Sequence, residues 1–267
     1  MKKHVRILFL TACSSALLGG CKNKESGEEK QVELNVFAAA SMTETLNTIK
    51  TQYEAKNSKV KINLNLESSG TLKKQIANGA DCDIFISAAQ KQMNELETEN
   101  LVDKTTRFNL LENKVVLATS SNNPKNVTSF ANLASRLGSE EGFILGMGNS
   151  DVPVGQYTQK ILEYYELNEA TLAAAGKINY GTNVKAVTTA VSSNAVACGV
   201  IYQTDAFSAN LNIVDTATEA MCGQVLYPAA VMKNAKQETE AAKFLLYLTT
   251  PAAMTVFESV GFVRAAK

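Results

Sequence analysis

The chain has a single histidine, His4, in 267 residues, together with no tryptophan, four prolines and five cysteines without a CxxC spacing. It has no surplus of either charge, since 26 basic residues balance 26 acidic ones. It also lacks an apolar run of about 20 residues, the length a membrane-spanning helix needs. Each absence removes a class of function. With no histidine beyond position 4, neither a Ser-His-Asp nor a Cys-His catalytic arrangement can form in the body of the chain, and most zinc sites are excluded as well. The charge balance argues against nucleic acid as a partner. Beyond Cys13 and Cys21 only Cys82, Cys198 and Cys222 remain. They are scattered and odd in number, so at most one disulfide can form, and buried or free thiols are expected.

What is present begins with an export pattern. Lys2, Lys3 and Arg6 open the chain, an apolar stretch from Val5 to Leu18 is broken mainly by small residues, and Leu18-Gly19-Gly20-Cys21 follows. This reads as a removable leader over residues 1–20. The Leu-Gly-Gly-Cys sequence resembles the lipoprotein processing box, which implies lipid attachment at Cys21. Lys22 to Gln31 is charged and has no apolar residue, as expected of a flexible tether over residues 21–31. Removal of residues 1–20 takes away three basic residues and no acidic one, so the net charge falls from zero to −3. The expected location is outside the cytoplasm, anchored to the cell membrane by lipid.

About 235 residues follow the tether, enough for one large domain or two lobes with separate cores. Strand patterns occur at 32–38, 59–66, 83–87, 114–119, 142–147, 177–180, 196–202, 211–215 and 225–232. Helical patterns occur at 41–54, 70–78, 90–100, 128–136, 155–166, 184–193 and 237–249. In the first of these Leu46, Ile49 and Tyr53 share one face, and Ser41-Met42-Thr43-Glu44 has the S-x-x-E form of a capping box. The alternation predicts an α/β fold with mostly parallel pairing. The strand 225–232 contains Pro228 and is expected at an edge or at a crossover. Pro251 separates two terminal helices, 238–248 and 252–259.

Twice near the start a strand pattern runs directly into serine at a helix start: Phe37-Ala38-Ala39-Ala40-Ser41 and Leu64-Asn65-Leu66-Glu67-Ser68-Ser69-Gly70. A helix N-terminus presents backbone N–H groups that no helical carbonyl uses, and the peptide dipoles favour negative charge there. Two such ends converging would hold an oxyanion without lysine or arginine. For Ser41 alone, capping of its own helix with Glu44 as reciprocal partner remains an open reading. Ser68 and Ser69 alone could form an ordinary turn, and a buried tyrosine such as Tyr202 is commonly a core residue with a satisfied hydroxyl. Glu67 is expected to turn away from Ser68 by strand alternation. Lys185 is either a solvated lysine or a source of attraction at a cleft rim.

Taken in order, FAAAS (37–41), SSGTLKKQI (68–76) with DIFISA (83–88), VPVGQY (152–157), NVKAV (183–187) with GVIYQTDA (199–206), and YPAAV (227–231) resemble the periplasmic molybdate-binding proteins of ABC transporters. The resemblance covers nearly all of the chain beyond the tether. It implies a two-lobed periplasmic-binding-protein fold of type II, two mixed sheets flanked by helices with a ligand cleft between lobes. Lobe 1 would comprise residues 32–113 and 227–267, and lobe 2 residues 114–226. It implies an oxyanion site made of the Ser41, Ser69 and Tyr202 hydroxyls with backbone donors at Ser41, Ser69, Val154 and Val184. The ligand would be molybdate or tungstate, with no direct protein bond to the metal and no cofactor. The implied partners are a membrane permease and the membrane itself through Cys21, with the receptor a monomer and not an enzyme.

Two alternatives stay open at this point. One is a receptor for sulfate, phosphate or a small organic anion on the same fold. The other is an extracytoplasmic serine hydrolase, for which Ser69 and Lys73, four residues apart on one helix face, form the single candidate pair.

Overall fold

A computed structural model describes residues 31–266. The proposed leader, the lipidated Cys21 and all but the last residue of the tether lie outside them. Among the described residues, no helix is long and apolar enough to cross a membrane.

The first strand, β1 (Val32–Ala39), shows why the chain folds as it does. Leu34, Val36 and Ala38 point to one side and Phe37 to the other, and all four are buried. A strand buried on both faces needs cover on both. On one side α1 (Thr43–Lys56) lays down Leu46, Ile49 and Tyr53, spaced as the sequence predicts. On the other, Phe37 packs with Leu72 and Ile76 of α2 (Ser69–Ala77) and Met93 and Leu96 of α3 (Gln90–Thr98). Each fully buried leucine or isoleucine contributes about 1.5–3 kcal/mol from apolar burial.

Strands β2 (Val60–Glu67) and β3 (Ile84–Ile86) flank β1 in parallel. The sheet continues through three antiparallel pairings to β10 (Val225–Val231), β4 (Phe108–Asn113) and β11 (Val263–Arg264), in the order β11-β4-β10-β3-β1-β2. A second sheet has the order β7-β6-β8-β5-β9. Its members are β5 (Val115–Thr119), β6 (Leu145–Gly148), β7 (Ile178–Gly181), β8 (Cys198–Tyr202) and β9 (Asn212–Thr216). Here β6 pairs in parallel with β7 and β8, while β5 pairs antiparallel with β8 and β9. Helices α4 (Phe130–Leu137), α5 (Pro153–Tyr164), α6 (Glu169–Ala174), α7 (Val184–Ser192), α8 (Gln203–Ser208) and α9 (Glu219–Cys222) accompany it. The chain ends with α10 (Glu238–Tyr247) and α11 (Pro251–Glu258), Pro251 standing at the first turn where its missing N–H costs nothing.

Two expectations are corrected, several short elements escape the sequence pattern, and the expectation for the cysteines holds. Both sheets are mixed, not mostly parallel, because strands β4, β5, β9, β10 and β11 run against their neighbours. Strand β10 is central, not an edge; its proline is accommodated where the register with β4 slips between Tyr227 and Pro228, a bulge that removes the need for its N–H. Strands β4 and β11 carry no alternating pattern that the sequence could reveal. Helices α6, α8 and α9 are six residues or fewer, too short for a visible apolar period. Cys82, Cys198 and Cys222 are buried free thiols, and burial pushes the Cys198 thiol up to about 12.

Candidate functional site

Each sheet contributes three adjacent parallel strands, β2-β1-β3 and β7-β6-β8, and ligands of open α/β sheets bind beyond the carboxyl ends of such strands. The register is level: Ala39 lies beside Glu67, and Gly148 beside Gly181. A helix or turn follows closely after five of these strands. After β1 comes a 3-10 turn, Ala40–Met42, carrying Ser41; after β2 comes α2, starting at Ser69. After β6, β7 and β8 come α5, α7 and α8, starting at Pro153, Val184 and Gln203.

These ends line a small cavity of about 10 Å³, room for about one water molecule. Ser41, Ser69, Val184 and Tyr202 line it, as the sequence predicts. From the α5 loop the wall is formed by Val152 and Pro153 instead of Val154. Val154 is fully buried, and its N–H lies in the first turn of α5, where no helical carbonyl precedes it. The amides of Ser69 and Val184 open their helices in the same way. No lysine or arginine belongs to the wall.

The hydroxyls are individually committed. Ser41 does not cap α1: that helix has no side-chain cap, and Ser41 Oγ lies 2.8 Å from Tyr227 Oη. The expected capping box fails because Ser41 sits within the preceding turn and Glu44 bonds Lys185 across the cavity rim, at 2.8 Å. In α2 the two serines divide the work. Ser68 Oγ accepts from Thr71 N at 3.1 Å as the cap, which frees Ser69, whose Oγ accepts from Ala88 N at 3.0 Å. A serine oxygen that accepts still has its own hydrogen to give. Tyr202 is 1% exposed, and its hydroxyl makes no well-aligned hydrogen bond among the described residues, although the Tyr227 hydroxyl lies near it. Burial pushes its pKa well above that of an ordinary tyrosine, so it is a neutral donor. Edge-to-face contacts with Tyr157 and Tyr227, ring centres 6.4 and 5.8 Å away, hold its ring in place.

Glu67 corrects another expectation. It lines the cavity and accepts from Ser68 N at 3.1 Å and from Asn183 Nδ2 at 3.0 Å. As the last residue of β2 it is no longer bound by strand alternation, and two free donors draw it inward. Lys185 is partly exposed, and its charge is compensated by two carboxylates. Besides Glu44 it faces Asp205 at 3.0 Å, a fully buried carboxylate with no well-aligned hydrogen bond. Burial pushes Asp205 up to about 6 against the pull of Lys185. Burial lowers Lys185, but Asp205 and Glu44 outweigh it and leave its pKa raised. The Ser69–Lys73 pair does not form, because Lys73 Nζ bonds Glu95 at 3.1 Å.

The two groups of helix ends are tied directly. Gly70 N–H donates to Asp151 O at 3.1 Å, and Lys74 Nζ lies 2.5 Å from Asp151 Oδ2. A Cβ at position 70 would stand 2.1 Å from that Asp151 oxygen, so this approach requires glycine. The residues that sequence reading missed are Tyr227, Asn113 and Thr204, a buried hydrogen-bonded group behind Ser41. Tyr227 belongs to the YPAAV motif, and a tyrosine in an apolar strand whose hydroxyl needs a partner was the available hint.

A cavity ringed by helix N-termini between two mixed α/β sheets, with Ser41, Ser69 and Tyr202 in its wall, has the architecture of a solute-binding site. The chain belongs to the bacterial extracellular solute-binding proteins, whose family profile matches residues 34–263. A Bacillus subtilis relative, YvgL, provisionally named an ABC transporter substrate-binding lipoprotein, is 37% identical over 259 residues, 96% of each chain. The molybdate-binding protein ModA of Escherichia coli is 33% identical over 260 residues, again 96% of each. The fold of the periplasmic molybdate-binding protein of Azotobacter vinelandii superposes with a TM-score of 0.76, at 21% identity, over 87% of this chain and all of that one.

Proposed function

We propose that this chain is the receptor of an ABC transporter that captures molybdate or tungstate outside the cytoplasm and delivers it to a membrane permease. The observation that carries the reading is Tyr202: a buried hydroxyl with no well-aligned protein partner, on a cavity of helix ends and serines that has no basic side chain in its wall. An unpartnered buried hydroxyl costs about 1–3 kcal/mol, which an anion would return by accepting its hydrogen. Ser41, Ser69 and Tyr202 would supply side-chain donors, and Ser41, Ser69, Val154 and Val184 backbone donors. Molybdate and tungstate are fully deprotonated dianions near neutral pH and suit a ring of donors. Sulfate shares that charge and would be rejected by its shorter bonds. The relatives named for molybdate binding support the choice of ligand.

In this reading lobe 1 is residues 32–113 with 227–267, and lobe 2 is residues 114–226. The ligand would bridge them and favour the closed arrangement through its differential affinity, giving the permease a shape to recognise. Cys21 would hold the monomeric receptor to the membrane through lipid.

Glu67 favours one rival. A carboxylate in the wall could accept the hydrogen of hydrogen phosphate or of another protonated oxyanion. Calorimetric titration with molybdate, tungstate, sulfate and phosphate separates these readings. One site of high affinity for molybdate and tungstate is expected; tighter binding of sulfate or phosphate overturns the proposal.

A further inference from the structure

Ser41 reaches the cavity with a hydroxyl that is also engaged from behind, and the sense of that engagement is set by a backbone group three hydrogen bonds away in the chain of contacts. Lys114 N–H donates to Asn113 Oδ1 at 2.8 Å. A backbone N–H can only donate, so the amide oxygen of Asn113 faces Lys114 and its nitrogen faces the other way. That nitrogen has two hydrogens and no lone pair to offer. It gives one to Thr204 Oγ1 at 2.9 Å and one to Tyr227 Oη at 3.2 Å. Tyr227 Oη is therefore an acceptor toward Asn113, and its own hydrogen has Ser41 Oγ, 2.8 Å away, to receive it. The reverse sense would leave the hydrogen of a fully buried tyrosine with only the poorly aligned Tyr202 hydroxyl to receive it, whereas the Ser41 hydrogen stands at a cavity open to a ligand.

We propose that Tyr227, held by Asn113, is a positioning residue that makes Ser41 an obligate hydrogen-bond donor to the bound anion and so discriminates against oxyanions that carry a proton. The proposal rests on the oxyanion reading of the cavity. Hydrogens pass along the sequence Asn113, Tyr227, Ser41, ligand, each group donating forward. A ligand oxygen that bears hydrogen meets another hydrogen at Ser41 and is disfavoured. The relay also joins both halves of the fold, since Asn113 ends β4 of the first sheet and Thr204 lies on α8, which follows β8 of the second.

The test compares the affinity of wild type, Tyr227→Phe and Asn113→Asp for molybdate and for inorganic phosphate by calorimetric titration and competition at one neutral pH. Tyr227→Phe releases Ser41 to rotate, and molybdate affinity should fall about tenfold while phosphate affinity changes less, so the ratio narrows. Asn113→Asp has no hydrogen to give Tyr227; the relay reverses, and the ratio should narrow further. Simple loosening of the site would lower both affinities in proportion and leave the ratio unchanged, which would overturn the proposal. Should Asn113→Asp lack the far-ultraviolet circular dichroism of the folded protein, the Tyr227→Phe ratio decides alone. Wild-type protein that binds no molybdate would overturn the functional reading first, before any substitution is compared.

Discussion

On the first-sheet wall of the cavity Ser41 and Ser69 carry hydroxyl oxygens with protein partners, Tyr227 Oη and Ala88 N–H, whereas on the second-sheet wall Tyr202 carries a buried hydroxyl with no well-aligned one. Both walls arise from the same device, three parallel strands followed by helices or turns. They differ in what finishes them. The first wall has its side-chain donors oriented before any ligand arrives. The second depends on backbone amides of α5 and α7, rigid by virtue of their helices, and on one phenol that a ligand must satisfy. In the proposed reading, a site divided this way would bind by completing the second wall against a first wall already set.

The contrast can be broken most severely by deleting both oriented hydroxyls. Ser41→Ala with Ser69→Ala should cost about 1.5–3 kcal/mol for each serine, measured as the change in molybdate Kd. Unchanged affinity would remove both residues from the site. Next in size is a charge effect behind the second wall. Asp205 has a folded-state pKa of about 6 against an ordinary 3.8. Its raised value means that its contribution to stability is full below about pH 4 and lost as pH rises through about 6, a change on the order of 3 kcal/mol. Denaturant unfolding between those limits should show Asp205→Asn losing less stability with rising pH than wild type.

The join between the walls is tested by Gly70→Ala. Its Cβ would meet Asp151 O at 2.1 Å, and the forced separation should weaken molybdate binding by about 1–3 kcal/mol. Circular dichroism of the ligand-free protein should stay unchanged. The smallest effect sharpens the comparison most. Tyr202→Phe should cost about 1 kcal/mol of affinity while leaving the ligand-free protein as stable or more so, because it removes an unsatisfied hydroxyl. Loss of ligand-free stability would mean that Tyr202 has a structural partner.

The same asymmetry governs what could be read in the sequence. Ser41, Ser69 and Tyr202 are proposed to act through their side chains and so leave letters in the chain, and the structure brings all three to one cavity. Val184 reaches the wall and Val154 stands just behind it, yet neither valine would be suspected without the surrounding motif, since a backbone donor selects no particular side chain. Glu67 and Lys185 were misjudged because a strand end escapes alternation and because Glu44 and Asp205, distant in sequence, determine where the lysine goes. Long periodic elements such as α1 were legible. Strand β4 was not, since Asn109, Glu112 and Asn113 interrupt its pattern and its place is set by pairing with β10 and β11. The Asn113–Tyr227–Ser41 relay joins residues 72 to 186 positions apart, which no local pattern encodes.

A crystal structure of the protein with molybdate bound tests the central claim most directly. The account predicts anion oxygens within hydrogen-bond distance of the Ser41, Ser69 and Tyr202 hydroxyls and of the Val154 and Val184 amides, with no lysine or arginine in contact. An anion held elsewhere, or one in this cavity from which Tyr202 Oη turns away, would contradict it.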